Sequence, residues 1–263
     1  MISAKDLWKT MLEEARIMQA QEPALRDFLE VQIFKKPDLG NALADNLSSN
    51  FFGITKYEIN LEKIFAKSLD LDNEILQCAC RDLQAYVDRD PACEHYVTPL
   101  LFYKGFQALQ LQRICHSLWI RGQRYLARYL QSKMSENYGV DIHPGAIIGA
   151  GVMLDHATSL VIGETAVVGD DVSILHSVTL GGSGLQSGDR HPKIANGVLI
   201  AAGAKVLGNI TVGEGVKIGA GSLVLESVPA FVTVAGVPAK IIGGSTPGMA
   251  AFHMDQQITK EGN

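Results

Sequence analysis

Two hydrophobic rhythms divide the chain. From Asp141 to Leu180 an aliphatic residue recurs every sixth position, at Ile142, Ile148 and Leu154, and then, after a two-residue offset, at Ile162, Val168, Ile174 and Leu180. A second run, Ile194, Ile200, Val206, Val212, Ile218 and Val224, keeps the interval without error. A helix repeats its apolar face every 3.6 residues and a strand every 2, so neither explains a lone aliphatic at every sixth place. A solenoid of short flat faces does. Each hexapeptide is one face, three faces close a triangular coil, and small residues at the corners tolerate the tight backbone. The pattern predicts a parallel β-helix of about four to five coils over residues 141–242, with the aliphatics inside the prism. The interval does not set its handedness.

Before residue 140 the rhythm is helical. Ser3 with Asp6 reads as an N-cap with an acidic first turn, opening a helix to about Ala20. Pro23 starts another piece, and Pro37 and Gly53 punctuate the next ones. Ile75, Leu76, Ala79, Leu83 and Val87 make one helical stripe that ends at Asp88-Arg89-Asp90-Pro91. Thr98-Pro99 predicts a single helix through Ile120, with Thr98 as cap and Pro99 at the first position. It is apolar around most of its circumference, as expected of a central helix. A last amphipathic helix runs from after Gly122 to Gly139, a C-cap.

Composition reinforces the division. Of 26 glycines, 21 lie from Val140 onward, where the only aromatics are Phe231 and Phe252. The chain is therefore expected to be α+β: a helical N-terminal domain (1–139), a β-helix (140–244) interrupted by a loop (183–193), and a tail (245–263) that is mobile or docked on a partner. The net charge of −5 lacks the basic excess of a nucleic-acid binder. No run of about 18 apolar residues could span a bilayer and the N-terminus lacks a signal core, so a cytoplasmic chain is expected. Cys78, Cys80, Cys93 and Cys115 form no metal or redox spacing and are expected to be buried or half-buried reduced thiols.

The irregularities carry the candidate chemistry. Between Leu180 and Ile194 the segment GGSGLQSGDRHPK is about eight residues longer than one face needs, so it must project, with Asp189, Arg190, His191 and Lys193 at its end. His143, His156, His176 and His191 lie 13, 20 and 15 residues apart with no cysteine nearby, a spacing that does not favour metal. His156 stands in Leu154-Asp155-His156-Ala157, where the interval slips by two and the chain must bulge. An imidazole displayed there suits proton transfer near neutral pH, given a carboxylate to orient it. Asp141 and Asp155 are the candidates. In extended backbone the adjacent Asp155 points away, so Asp141, about one coil below, is preferred.

The stretch DIHPGAIIGAGVMLDHATSLVIGETAVVGDDVSILHSVTLGGSG, with GDRHPKI, AGVPAKII and the helical half containing Asp90-Pro91, resembles bacterial serine O-acetyltransferases over nearly the whole chain. The resemblance implies a left-handed β-helix, trimers paired through the helical domains into a hexamer, and active sites between neighbouring solenoids. It implies His156 as general base with Asp141 as its partner. Asp90 and Asp155 would hold the amino group of L-serine, and Arg190 and His191 its carboxylate. Acetyl-CoA is the implied cosubstrate, laid along Ala202, Gly203, Lys217 and Ala220, with backbone N–H groups at Gly181-Gly182 facing the thioester oxygen. Direct transfer without an acyl-enzyme, inhibition by L-cysteine in the serine site, and no metal complete the implied chemistry. The chain ends Ile258-Thr259-Lys260-Glu261-Gly262-Asn263, without the terminal isoleucine through which the family engages O-acetylserine sulfhydrylase, so that partner is implied by the family but not by this end. Two other readings stay open: an acyltransferase for another hydroxyl or amino acceptor, and a non-catalytic solenoid scaffold.

Overall fold

The structure, a computed structural model, describes residues 2–50, 59–184, 187–244 and 248–258. Gly53, the centre of the long loop and both ends of the tail lie outside these residues. Helix α1 (Ala4–Gln21) starts where expected, the Ser3 hydroxyl accepting from the Asp6 N–H at 3.1 Å. The short α2 (Arg26–Leu29) follows a single turn begun by Pro23. Helices α3 (Leu39–Ser49) and α4 (Leu61–Leu71) are capped by the side chains of Asp38 and Asn60. Helix α5 (Asn73–Arg89) stops at the extended Asp90.

The single helix expected after Thr98-Pro99 is two, α6 (Val97–Phe102) and α7 (Lys104–Ile120), broken at Tyr103, whose ψ of 104° is extended. Thr98 lies inside α6 rather than capping it, and the Val97 N–H donates to the Glu14 carboxylate at 2.9 Å instead. The break seats the start of α7 against the solenoid. A Cβ on Gly105 would lie 2.0 Å from the Leu154 carbonyl oxygen, so only glycine fits. Helix α7 is buried on nearly all sides. Helix α8 (Arg124–Tyr138) ends at Gly139, a left-handed cap with φ 64°.

The strands begin at Val140 and stack in three parallel faces. The first face contains Val140–Ile142, Leu160–Ile162, Thr179–Gly181, Lys205–Leu207 and Leu223–Val224, the second Ile147–Ile148, Val167–Val168, Lys193–Ile194 and Thr211–Val212. The third holds Met153–Leu154, Ser173–Ile174, Leu199–Ile200, Lys217–Ile218 and Val232–Gly236, closed by the antiparallel strand Ala239–Gly244. The sixth-residue aliphatics are in register, Ile142 on Ile162 on Leu180 on Val206 on Val224, and Leu154 on Ile174 on Ile200 on Ile218, with Val234 from beyond the run capping the second stack. All ten are buried, each contributing about 2 kcal/mol of apolar burial.

One hydrophobic core runs from the helices into the prism. Polar bonds stitch the same seam. Arg113 pairs with the buried Asp82 at 2.8 Å and donates to the carbonyls of Ile148 and Gly149, while Asp82 accepts from the Val152 N–H. Arg81 and Arg89 both reach Asp171 on the second coil. The tail, expected to be mobile or on a partner, is docked on its own chain as far as it is described. Helix α9 (Ala250–His253) lies on the third face, where the Ala251 N–H donates to the Gly197 carbonyl and the Arg89 guanidinium covers the Phe252 ring at 4.8 Å. The four cysteines are free, three buried and Cys78 half-buried, and burial pushes the thiols of Cys80 and Cys93 up to about 11. Among the described residues no helix is long and apolar enough to cross a membrane.

Candidate active site

The two-residue offset is a corner. Between Leu154 on the third face and Leu160 on the first, His156, Ala157 and Ser159 take φ of 54°, 55° and 61°. Each such residue other than glycine costs about 1–2 kcal/mol, so the corner is held by its surroundings. The Ala157 N–H donates to the Asp155 carbonyl and the Thr158 N–H to the His156 carbonyl, two successive three-residue turns. From below, the Gly139 carbonyl accepts from the Ser159 N–H; from above, the Ser177 N–H donates to the Thr158 carbonyl. Leu154 is fixed from the side, since the buried Tyr86 hydroxyl donates to its carbonyl at 2.9 Å and accepts from its N–H at 3.2 Å.

This corner gathers Asp90, Asp155 and His156. The His156 side chain is 75% exposed, with Nε2 3.7 Å from the Asp155 carboxylate. The expectation that Asp155 points away from its neighbour fails because it assumed extended backbone; the left-handed turn swings both to one side. Burial raises the Asp155 carboxyl, His156 pulls it back, and Asp90 pushes it up again. Asp90 sits at the end of α5, where its carboxylate accepts from the Ala92 N–H at 2.9 Å. His176, to which the sequence assigned no role, lies one coil above with its ring centroid 6.0 Å from that of His156.

A second corner, between the first and second faces, carries the loop residues. Arg190 donates to the Glu164 carboxylate at 2.8 Å and to the Gly188 carbonyl at 2.9 Å. That contact holds the Glu164 carboxyl below its ordinary value. His191 is buried, and its Nδ1 accepts from the Thr165 N–H at 3.2 Å, which puts the ring proton on Nε2. Burial, then Arg190 and Lys193, lower its pKa. A Cβ on Gly163 would lie 2.0 Å from that ring, so the glycine makes its berth. Gly182 borders the same loop, its open side facing Arg190. Asp141, outward on the first face between the two corners, accepts from the Gln131 amide at 2.7 Å. Its charge raises the pKa of His143, which burial lowers overall. Glu164 and Thr165 were missed in the sequence; both stand one coil below the loop, a neighbourhood that only the coil register reveals.

In a single chain, then, the acids with His156 and the cations of the loop stand at opposite edges of one face. The cofactor candidates also separate. Ala202, Gly203 and Ala220 lie on the corner above His156 and His176. Lys217 does not join them. It is buried on the third face beneath the tail, its ammonium 2.9 Å from Asp255 and bonded to the Gln257 carbonyl. Among the described residues no group of three or more His, Cys, Asp or Glu side chains is placed to hold a metal.

The family model for the N-terminal region of serine acetyltransferases matches residues 7–111, and the bacterial transferase hexapeptide model, six repeats, matches residues 191–226. The serine acetyltransferase of Salmonella typhimurium is 50% identical over 252 residues, covering 96% of this chain and 92% of the relative. That of Haemophilus influenzae is 47% identical over 251 residues, 95% and 94% of the two chains. Among solved structures, a serine acetyltransferase in complex with cysteine has a TM-score of 0.94 at 46% identity, covering 98% of this chain and 100% of its own. The Neisseria gonorrhoeae enzyme in complex with serine scores 0.86 at 51% identity, over 89% and 97% of the two chains. The Brucella abortus enzyme in complex with coenzyme A scores 0.88 at 48% identity, over 91% and 96%.

Proposed function

The chain belongs to the serine acetyltransferase family, its solenoid is a left-handed β-helix of hexapeptide repeats, and on that premise we propose that it transfers acetyl from acetyl-CoA to the hydroxyl of L-serine by direct attack, in a site completed between two copies. The observation that carries this reading is the split clamp. A zwitterionic amino acid needs acids at its ammonium and a cation at its carboxylate. Asp90 and Asp155 supply the first at one corner; Arg190 and His191 supply the second at the other. A trimer of parallel prisms brings the first corner of one copy to the second corner of the next, and pairing through the helical half makes the hexamer.

His156 takes the hydroxyl proton as the serine oxygen bonds to the thioester carbon. The resulting oxyanion faces the backbone N–H groups of Gly181-Gly182, its electron pair reforms the carbonyl as the carbon–sulfur bond breaks, and the imidazolium returns the proton to the thiolate. Asp141 stabilises the imidazolium in the assembled site. Arg190 exchanges Glu164 for the substrate carboxylate, a swap between like partners. The relative crystallised with coenzyme A supports acetyl-CoA as donor, laid up the corner past Ala202, Gly203 and Ala220. Lys217, occupied by the tail, is not assigned a phosphate. The relative crystallised with cysteine supports L-cysteine as an inhibitor, since the clamp reads only ammonium and carboxylate.

The test is loss of thioester absorbance from acetyl-CoA with L-serine, homoserine or an amino sugar as acceptor. Rapid loss with L-serine, suppressed by L-cysteine, is the expected outcome. Preference for another acceptor overturns the substrate, and no loss with any acceptor leaves a scaffold.

A further inference from the structure

The corner that presents His156 repeats up the prism. Leu154, Ile174, Ile200 and Ile218 stack in parallel register on the third face. The residues two positions on, His156, His176, Ala202 and Ala220, therefore mark one corner on four successive coils. The upper two are small side chains, half-buried and exposed, where the acyl donor is laid in the proposed reaction. His176 stands between those two side chains and His156.

Its surroundings define what it can do. The ring meets that of His156 edge to face, 77° between planes. Nδ1 is buried and has no hydrogen-bond partner among the described residues. Orphaned buried N–H groups are rarer than under-used acceptors, so the ring proton belongs on Nε2. The residue as a whole is only half-buried, no hydrogen bond from Nε2 is found among the described residues, and the Asp155 carboxylate lies within electrostatic reach of the ring. The backbone is fixed from above, where the His176 carbonyl accepts from the Gly203 N–H at 3.0 Å. A polar ring with one sealed nitrogen therefore stands beside His156 and below the methyl groups of Ala202 and Ala220 on the same corner.

We propose that the His176 Nε2–H donates to the carbonyl oxygen of the thioester, as a side-chain donor beside the backbone N–H groups of Gly181-Gly182. The proposal rests on the acetyl-transfer function proposed for the chain. His176 keeps its proton throughout: negative charge gathers on the oxygen as the serine oxygen bonds to carbon, the donor stabilises it, and the charge leaves when the carbon–sulfur bond breaks. A donor fixed before the reaction stabilises that charge without reorganising. Proton transfer remains with His156, so the two imidazoles do different work.

Two amides separate the ring nitrogens. Glutamine places its N–H near the position of Nε2, asparagine near that of Nδ1. With L-serine and acetyl-CoA saturating, H176N and H176A are expected to lower kcat by about 10²-fold, as loss of one oxyanion donor does, with KM for serine within about twofold. H176Q is expected to keep kcat within about threefold of the unchanged chain, and all three to melt within a few degrees of it. Full kcat in H176A, equal rates in H176N and H176Q, or a loss confined to KM would each overturn the proposal. If the unchanged chain turns over and H156A does not while every His176 variant matches the unchanged chain, only the role of His176 falls; if the unchanged chain does not turn over, the acetyl-transfer function falls with it.

Discussion

The two corners that border the first face are built by different means for opposite chemistry. At one, three residues with left-handed backbone lift an imidazole out of the coil, and helix α5 brings Asp90 alongside. At the other only glycines turn left-handed among the described residues, a glycine makes room for a buried histidine, and an inserted loop swings Arg190 onto Glu164. The first corner stores strain around an exposed imidazole; the second holds an arginine and a carboxylate against one another. In the proposed function neither is a site alone, and the face between them keeps them apart within one chain.

The comparison can be broken first at the strained corner. His156→Ala removes the proposed general base, and kcat should fall by about 10² to 10⁴-fold or more with the melting temperature unchanged. Steady-state loss of thioester absorbance checks it. At the second corner the effect should fall on binding instead. Arg190→Lys keeps the charge but loses the fork, and KM for L-serine should rise about tenfold while kcat moves less. A drop in kcat at constant KM would mean that the loop acts in the chemistry rather than the clamp.

Smaller changes sharpen how each corner is held. Tyr86→Phe keeps the ring but leaves the N–H and carbonyl of Leu154 without their hydroxyl, and chemical denaturation should show a loss of about 1–3 kcal/mol. Turnover should fall with it, because the lost bonds adjoin Asp155 and His156. Asp155→Asn should act most gently on stability and with a definite sign. Burial raises the Asp155 carboxyl, so the native state binds its proton more tightly than the unfolded chain does. Its ionisation therefore costs stability above the raised value and nothing below the unfolded one. The asparagine variant should melt slightly higher at neutral pH, and the gap should close as the pH falls through the ordinary carboxylate range.

Much of this was legible in the residues. A single aliphatic every sixth place leaves no other register, and the stack Ile142, Ile162, Leu180, Val206, Val224 comes directly from it. The offset at Leu154 located the strained corner, and the excess after Leu180 located the loop. The features that stayed hidden depend on backbone detail or on distant contacts. The neighbouring Asp155 and His156 share a side only because φ turns positive, which no side-chain pattern announces. The break at Tyr103 lets Gly105 sit against the Leu154 carbonyl, a contact between residues far apart in the chain. Lys217 looked free because nothing in its own coil shows that Asp255 covers it. His176 could have been found, since it stands two places after Ile174 as His156 stands two places after Leu154.

Whether the two corners work together across copies is tested most directly by mixing. Chains carrying H156A and chains carrying R190A should each be nearly inactive at low serine, one lacking the proposed base and the other the proposed clamp. Co-expressed in equal amounts, they are expected to mix in the proposed trimers so that about one junction in four pairs an intact first corner with an intact second corner. Recovery of about a quarter of the unchanged activity is the expected result. Activity no higher than the average of the two parents would place base and clamp in the same chain and contradict the split site.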